Sequence, residues 1–274
     1  MTNKINLLLF AGLMLAISSC SKSSDNTPVI PPNNNGGDTA YKLQYEDSVF
    51  YINNNHEDYI IKPLNAKAGT YYGFPDGIEI DENTGAINVS KSETGLKYAI
   101  SFMPPDSKDT LTTFVTISGI NYLDGFYNLS TADSIANPIY NGNIGTAIPG
   151  IDNGSLFDVG SGCNDQGCNV IPALGKINLA QTVRNGVFGK KPANNDRHEF
   201  DLVYQINDPS KQATNKLKVK LYYFETIADV TPEAYDIIAS RTGTIVNANT
   251  PLPLMAAQKK AAKPRPPCIF IVGR

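Results

Sequence analysis

Residues Gly73 to Phe102, GFPDGIEIDENTGAINVSKSETGLKYAISF, decide the fold. Ile78 and Ile80 fall on one side of an extended chain and Glu79 and Asp81 on the other. After Asp81-Glu82-Asn83-Thr84-Gly85, Ile87 and Val89 resume the apolar side, and Tyr98, Ile100 and Phe102 supply a further row. The stretch predicts a β-hairpin over 78–89 followed by a third strand. Gly85 sits where a short hairpin loop needs positive φ.

The same short-strand pattern extends over residues 41–124. Alternation predicts strands over 48–52, 58–63, 78–81, 86–89, 96–102 and 111–117. Asn53-Asn54-Asn55 and Pro104-Pro105-Asp106 act as breakers between them. The segment Gly77 to Ile87, an apolar-x-Ile-Asp stretch leading into a Thr-Gly turn and an apolar strand, resembles cadherin-like and Ig-type repeats of bacterial surface proteins. That resemblance implies an Ig-like β-sandwich over residues 41–124. It also raises Asp81 and Glu82 as candidate calcium ligands, because cadherin repeats bind calcium. Calcium takes six to eight oxygens from several loops, and the segment after this module, Gly119 to Gly125, has no acidic run to complete such a site. The preferred reading has Asp81 capping its own turn.

Residues 125–274 read as a second β-rich domain with longer loops and one short helix. Phe200, Leu202, Tyr204 and Ile206 share one face of a predicted strand. Across the polar loop 207–215, Leu217, Val219, Leu221 and Tyr223 alternate with Lys216, Lys218, Lys220 and Tyr222, which predicts an antiparallel pair with one wet side. The lysine row is read as a solvated strand face in preference to a site for an anionic polymer. Thr231 to Arg241 carries the helix signals: Thr231 at the N-cap, Pro232 in the first turn, and Gly243 beyond the end. Residues 256–267, rich in Ala, Lys and Pro, read as a flexible stretch, and Cys268-Ile269-Phe270-Ile271-Val272 as a buried closing strand.

The first forty residues stand apart from both domains. Lys4 precedes an apolar run through Ile17 that is short for a spanning helix and suits a signal sequence. The run ends in Ile17-Ser18-Ser19-Cys20, which resembles the lipobox of bacterial lipoproteins of Bacteroidetes type. The resemblance implies that residues 1–20 are a signal peptide and that Cys20 is acylated, anchoring the chain to a membrane that it does not cross. Residues 21–40, polar and rich in Pro, Gly and Asn, read as a tether. In lipoproteins of this kind Ser21 after the lipidated Cys is compatible with the outer membrane. Asp25 alone, where an acidic cluster would mark surface export, leaves the periplasmic or surface face open.

Composition narrows the function classes. Of 274 residues, 26 are acidic and 23 basic, a formal net charge of −3 without basic clusters, which argues against nucleic acid. No cofactor is expected. Neither GxSxG nor HExxH occurs, and His56 and His198 are the two imidazoles available to any triad. Cys163 and Cys168 flank Asn164-Asp165-Gln166-Gly167, and in an oxidising compartment this spacing predicts a local disulfide. Zinc would have to draw on His56, His198 and Cys268, which is a poor set; Cys268 reads as an inert buried thiol.

The sequence thus predicts a non-enzymatic, lipid-anchored envelope protein in which an Ig-like spacer presents a β-rich binding domain to a glycan or an envelope protein. This architecture resembles starch-binding lipoproteins that accompany outer-membrane glycan importers. The competing expectation is a secreted polysaccharide hydrolase with its site in the loops of residues 128–198, since paired carboxylates leave no short signature.

Overall fold

The computed structural model describes residues 41–54, 58–131, 134–240 and 266–274. Cys20, the leader, the tether over 21–40, His56, Gly243 and the stretch 256–265 lie outside the described residues.

Alternating apolar residues build the first pair of sheets. Strands β1 (Val49–Phe50), β2 (Ile60–Ile61), β3 (Thr70–Phe74), β4 (Ile87–Asn88), β5 (Leu96–Met103) and β6 (Leu111–Ile117) order as β1-β6-β5-β3 and β2-β4. β1 lies parallel on β6, whereas the β6-β5, β5-β3 and β2-β4 pairs are antiparallel. A first strand laid parallel on the last, with a second sheet facing it, is an Ig-like sandwich arrangement. Its core holds Phe50, Tyr71, Ile78, Ile87, Leu96, Tyr98, Ile100, Phe102 and Val115.

The predicted 78–89 hairpin forms in a reduced way. Its first strand contributes a single bridge, Ile80 to Ile87. The reason is the turn: Asp81 Oδ1 accepts from Asn83 N (3.0 Å), Thr84 N (2.8 Å) and Thr84 Oγ1 (2.8 Å), and Gly85 closes it at φ +70°. Just before it, Ser92 Oγ takes the Glu79 N–H. Strand β3, unpredicted, takes the place beside β5, with buried Tyr71 packed against Phe102 at 4.7 Å between ring centroids.

The chain continues through β7 (Ile120–Tyr122), β8 (Gly125–Asn128), β9 (Ile135–Ala136), β10 (Pro138–Tyr140), β11 (Leu156–Phe157), α1 (Gly162–Asp165), β12 (Val170–Ile171), β13 (Lys176–Asn178) and α2 (Leu179–Arg184). It ends with β14 (Asp196–Gln205), β15 (Asn215–Phe224), α3 (Pro232–Ser240) and β16 (Cys268–Val272). Five of these strands form one sheet ordered β11-β14-β15-β16-β8, and smaller sheets pair β10 with β7 and β12-β13-β9.

The predicted antiparallel pair is β14-β15, with Phe200 opposite Val219 and Leu202 opposite Leu217. Those residues, with Tyr204 and Leu221, line a core closed by Phe157, Ile177, Leu179, Ile269 and Ile271. On the opposite face the lysine row meets acids across the strands: Lys216 and Lys218 reach Asp201 at 3.4 and 3.1 Å, and Lys220 reaches Glu199 at 3.1 Å. Exposed pairs of this kind contribute about 0–1 kcal/mol each. They set three lysines against two carboxylates, so most of the row's charge is paired.

Helix α3 covers the other end of that face. Ala234, Ile237 and Ile238 pack with Tyr222, Phe224, Cys268 and Phe270, and Glu233 grips Arg197 through both carboxylate oxygens (3.2 and 2.6 Å). Strand β16 is buried at all five residues and runs parallel to both its neighbours, β15 and β8. Helices α1 and α2 come in addition to the one helix expected. Asn178 caps α2 by accepting from Gln181 N.

Candidate functional site

The sequence-predicted site residues do not converge. Asp81 is spent on its own turn; the Thr84 hydroxyl, with backbone N–H groups, holds its carboxyl below the usual carboxylate range. Among the described residues no group of three His, Cys, Asp or Glu side chains stands close enough to hold a metal ion, so Asp81 and Glu82 have no further acid beside them. His198 lies half-buried on β14, its ring 4.6 Å from that of Phe200.

The disulfide expected between Cys163 and Cys168 is corrected by the structure, in which both are free, buried thiols. The loop closes by other means. Cys168 N donates to Cys163 O (2.9 Å), and Cys163 Sγ donates to the Asp201 carbonyl at 3.6 Å. The buried carboxylate of Asp158 accepts from Cys163 N (2.7 Å), Asn164 N (2.9 Å) and Asn164 Nδ2 (2.6 Å), fixing the start of α1. Its neighbour Cys168, and then burial, push the Cys163 thiol far up, so it stays protonated. Cys268 is likewise a buried thiol, with Sγ 3.4 Å from Pro266 O.

The residues that do converge lie where the Ig-like sandwich meets the five-stranded sheet, and none of them was singled out in the sequence as a site. Tyr204 projects from β14 into this seam. Its hydroxyl accepts from Asn215 Nδ2 (2.6 Å) and Ile120 N (3.2 Å) and shares a hydrogen bond with Thr94 Oγ1 (2.8 Å). Wholly buried Asn121 donates to Glu93 Oε1 (2.8 Å) and to the Thr94 carbonyl (3.1 Å). Tyr140 OH donates to Asp208 Oδ2 (2.7 Å), where Ser118 Oγ also donates (3.3 Å), and Tyr122 OH donates to Gly175 O (2.5 Å). Each donor and acceptor here is satisfied by one on the other side of the seam or close to it, and buried networks of this kind rigidify what they join. Lys42–Arg274 accordingly forms one compact unit.

The seam makes a pH prediction. Burial pushes the Tyr122, Tyr140 and Tyr204 phenols above their ordinary value near 10. A group whose folded pKa is raised stabilises the fold fully below its unfolded pKa and loses that contribution as pH rises toward the folded one. Unfolding is therefore expected to begin above about pH 10, together with a step in phenolate absorbance; absorbance rising smoothly with the fold intact would contradict it.

Two hollows border these elements. One, about 10 Å³, lies on the seam between Ser118, Tyr204, Asp208 and Asn215, and holds no more than a water. The other, about 320 Å³, opens between residues 44–48 and Thr113-Phe114 of β6.

No known protein family and no curated protein matches the chain. Two crystal structures of human protocadherin-24 EC1-2 are similar at 12% and 13% identity. Each match covers 66% of this chain and 96% or 94% of theirs, at a TM-score of 0.22. A likeness at that TM-score carries no weight, and the fold rests on the strand pairing described above.

Proposed function

We propose that the protein is a non-enzymatic binding protein of the cell envelope, carried on a lipid at Cys20, in which the Ig-like sandwich and the second β module act as one stiff body that presents a surface to a glycan or protein partner. The observation that carries the binding part is the seam. Polar side chains from both modules are used to lock them together, as suits a presenting body and not a hinged cleft that closes on a substrate. Among the described residues of the 128–198 loops the buried acid, Asp158, is engaged in holding α1, which supports a structural role for it. The anchoring part rests on Ile17-Ser18-Ser19-Cys20 and the tether that follows.

Anchoring is tested by Cys20→Ser. The variant is expected to leave the membrane fraction or to keep its leader, with no acyl mass on the N-terminal peptide; recovery of lipidated protein would sink this part. Binding is tested by a glycan array and by pull-down from envelope extracts with the full chain. Turnover of a polysaccharide by the purified protein would overturn the non-enzymatic reading.

A further inference from the structure

The free edge of β6 is an opening in a sheet whose other edge is tied down. Residues 43–45 belong to the β2 side of the sandwich: Leu64 N donates to Gln44 O (2.9 Å), and Tyr45 OH donates to Gly85 O (2.6 Å). The chain then crosses to the facing sheet through residues 46–48 and joins β6 late, with Val49 opposite Thr116 and Phe50 opposite Ile117. Thr116 N donates to Ser48 O and Ser118 N to Phe50 O, so the even-numbered N–H groups of β6 point to this outer side. By the same alternation those of Thr112 and Phe114 do too, and among the described residues no strand pairs with them there. The cleft of about 320 Å³ lies in front of them, walled by residues 44–48.

Native sheets blunt such edges with Lys, Pro, bulges or a covering segment. Leu111-Thr112-Thr113-Phe114-Val115 has none of the protective residue types, is rich in β formers, and leaves Leu111 and Phe114 37% and 38% exposed. At the opposite edge Tyr71 N of β3 is taken by Glu82 O (2.8 Å). In the second sheet Val159 N covers β14 at Val203 O.

We propose that the β6 edge takes an extended, basic polypeptide segment of a partner protein as an added strand. Main-chain hydrogen bonds to Thr112 and Phe114 supply the pairing, as in other strand-addition complexes. The exposed carboxylates of Glu46 and Asp47 on the cleft wall supply the charge preference. Asp47 is held in place by Ser48 N and Val49 N on Oδ1 (2.6 and 3.3 Å). Lys97 lies over the Phe114 ring, 4.9 Å from its centroid. A second copy of this chain is the poorer occupant, because it brings its own Glu46 and Asp47 against the first pair. The inference rests on the binding reading above and narrows it to one surface and one class of partner.

The test is fluorescence anisotropy with the full chain in detergent. The probe is a labelled heptapeptide alternating lysine with valine; its glutamate counterpart and a backbone N-methylated copy serve as controls. The lysine peptide is expected to bind, with both controls weaker by about tenfold, the effect of one lost main-chain hydrogen bond or of reversed charge. Thr112→Pro, which an edge strand tolerates with its nitrogen facing solvent, and Glu46→Lys are each expected to cost the lysine peptide about tenfold with unchanged circular dichroism. Equal binding of the N-methylated peptide, no binding of the lysine peptide, or a homodimer abolished by Thr112→Pro would overturn the proposal. A glycan or envelope partner whose capture survives Thr112→Pro would overturn this assignment while leaving the wider binding function standing.

Discussion

Removing Cys268–Arg274 is expected to abolish the five-stranded sheet. β16 lies between β15 and β8, pairs with both, and has every residue buried. Ile269, Phe270, Ile271 and Val272 lose burial worth about 1.5–3 kcal/mol apiece, a sum on the order of 8 kcal/mol, comparable with the stability of a whole domain. The deletion also leaves β15 and β8 each without a neighbour on the inner side. Circular dichroism should show the loss of strand, and proteolysis should cut within β8 to β15. Ile271→Ala, a milder change, is expected to cost about 2–5 kcal/mol by cavity formation, whereas Lys216→Ala on the exposed ladder stays within about 0.5 kcal/mol. A truncated chain with unaltered dichroism and protease resistance would mean that β16 is dispensable.

Tyr204→Phe is expected to be the most damaging single-atom deletion in the seam. It strips one oxygen that serves Asn215 Nδ2, Ile120 N and Thr94 Oγ1 at once. Buried polar groups left without a partner cost about 1–3 kcal/mol each, and some relaxation is available, so a loss of about 3 kcal/mol is expected. Tyr122→Phe, which releases the single carbonyl of Gly175, should cost about 1 kcal/mol. A double-mutant cycle of Tyr204→Phe with Thr94→Ala separates coupling from simple loss. Non-additivity above about 0.5 kcal/mol in denaturant unfolding supports a direct link across the seam. Strict additivity would show that the two modules are merely adjacent.

These residues explain why the sequence discloses the fold better than the site. β5, β6, the β14-β15 pair and α3 are legible because each alternates or carries cap signals over enough residues for its period to show, and β16 because it is a continuous apolar run. Helices α1 and α2 are short, and Gly162-Cys163-Asn164-Asp165 has poor helix propensity; the carboxylate of Asp158 and the backbone around it make α1, not its own sequence. In Thr70-Tyr71-Tyr72-Gly73-Phe74 the glycine and adjacent tyrosines obscure the period, so β3 is visible only from its partner β5. The seam has no local signature at all. Thr94 and Tyr204 are 110 residues apart, and a tyrosine in an alternating strand looks like any core aromatic until the fold brings its hydroxyl to a neighbour. The thiol pair shows the reverse failure: spacing and compartment pointed to a bond, while the loop is held by hydrogen bonds to Asp158 and Asp201.

The position of β16 also sets an order of events during synthesis. Asp124, whose carboxylate receives the Cys268 N–H, is made 144 residues before the strand it will hold. A nascent chain that has already produced β8, β14, β15 and α3 still has a gap in the middle of its sheet, flanked by two strands that need a parallel partner. Contacts so distant in sequence form slowly and leave strand edges open meanwhile. The second module therefore cannot close before residues 268–272 are free to pair with β15 and β8, and until then it stands as an unfinished sheet.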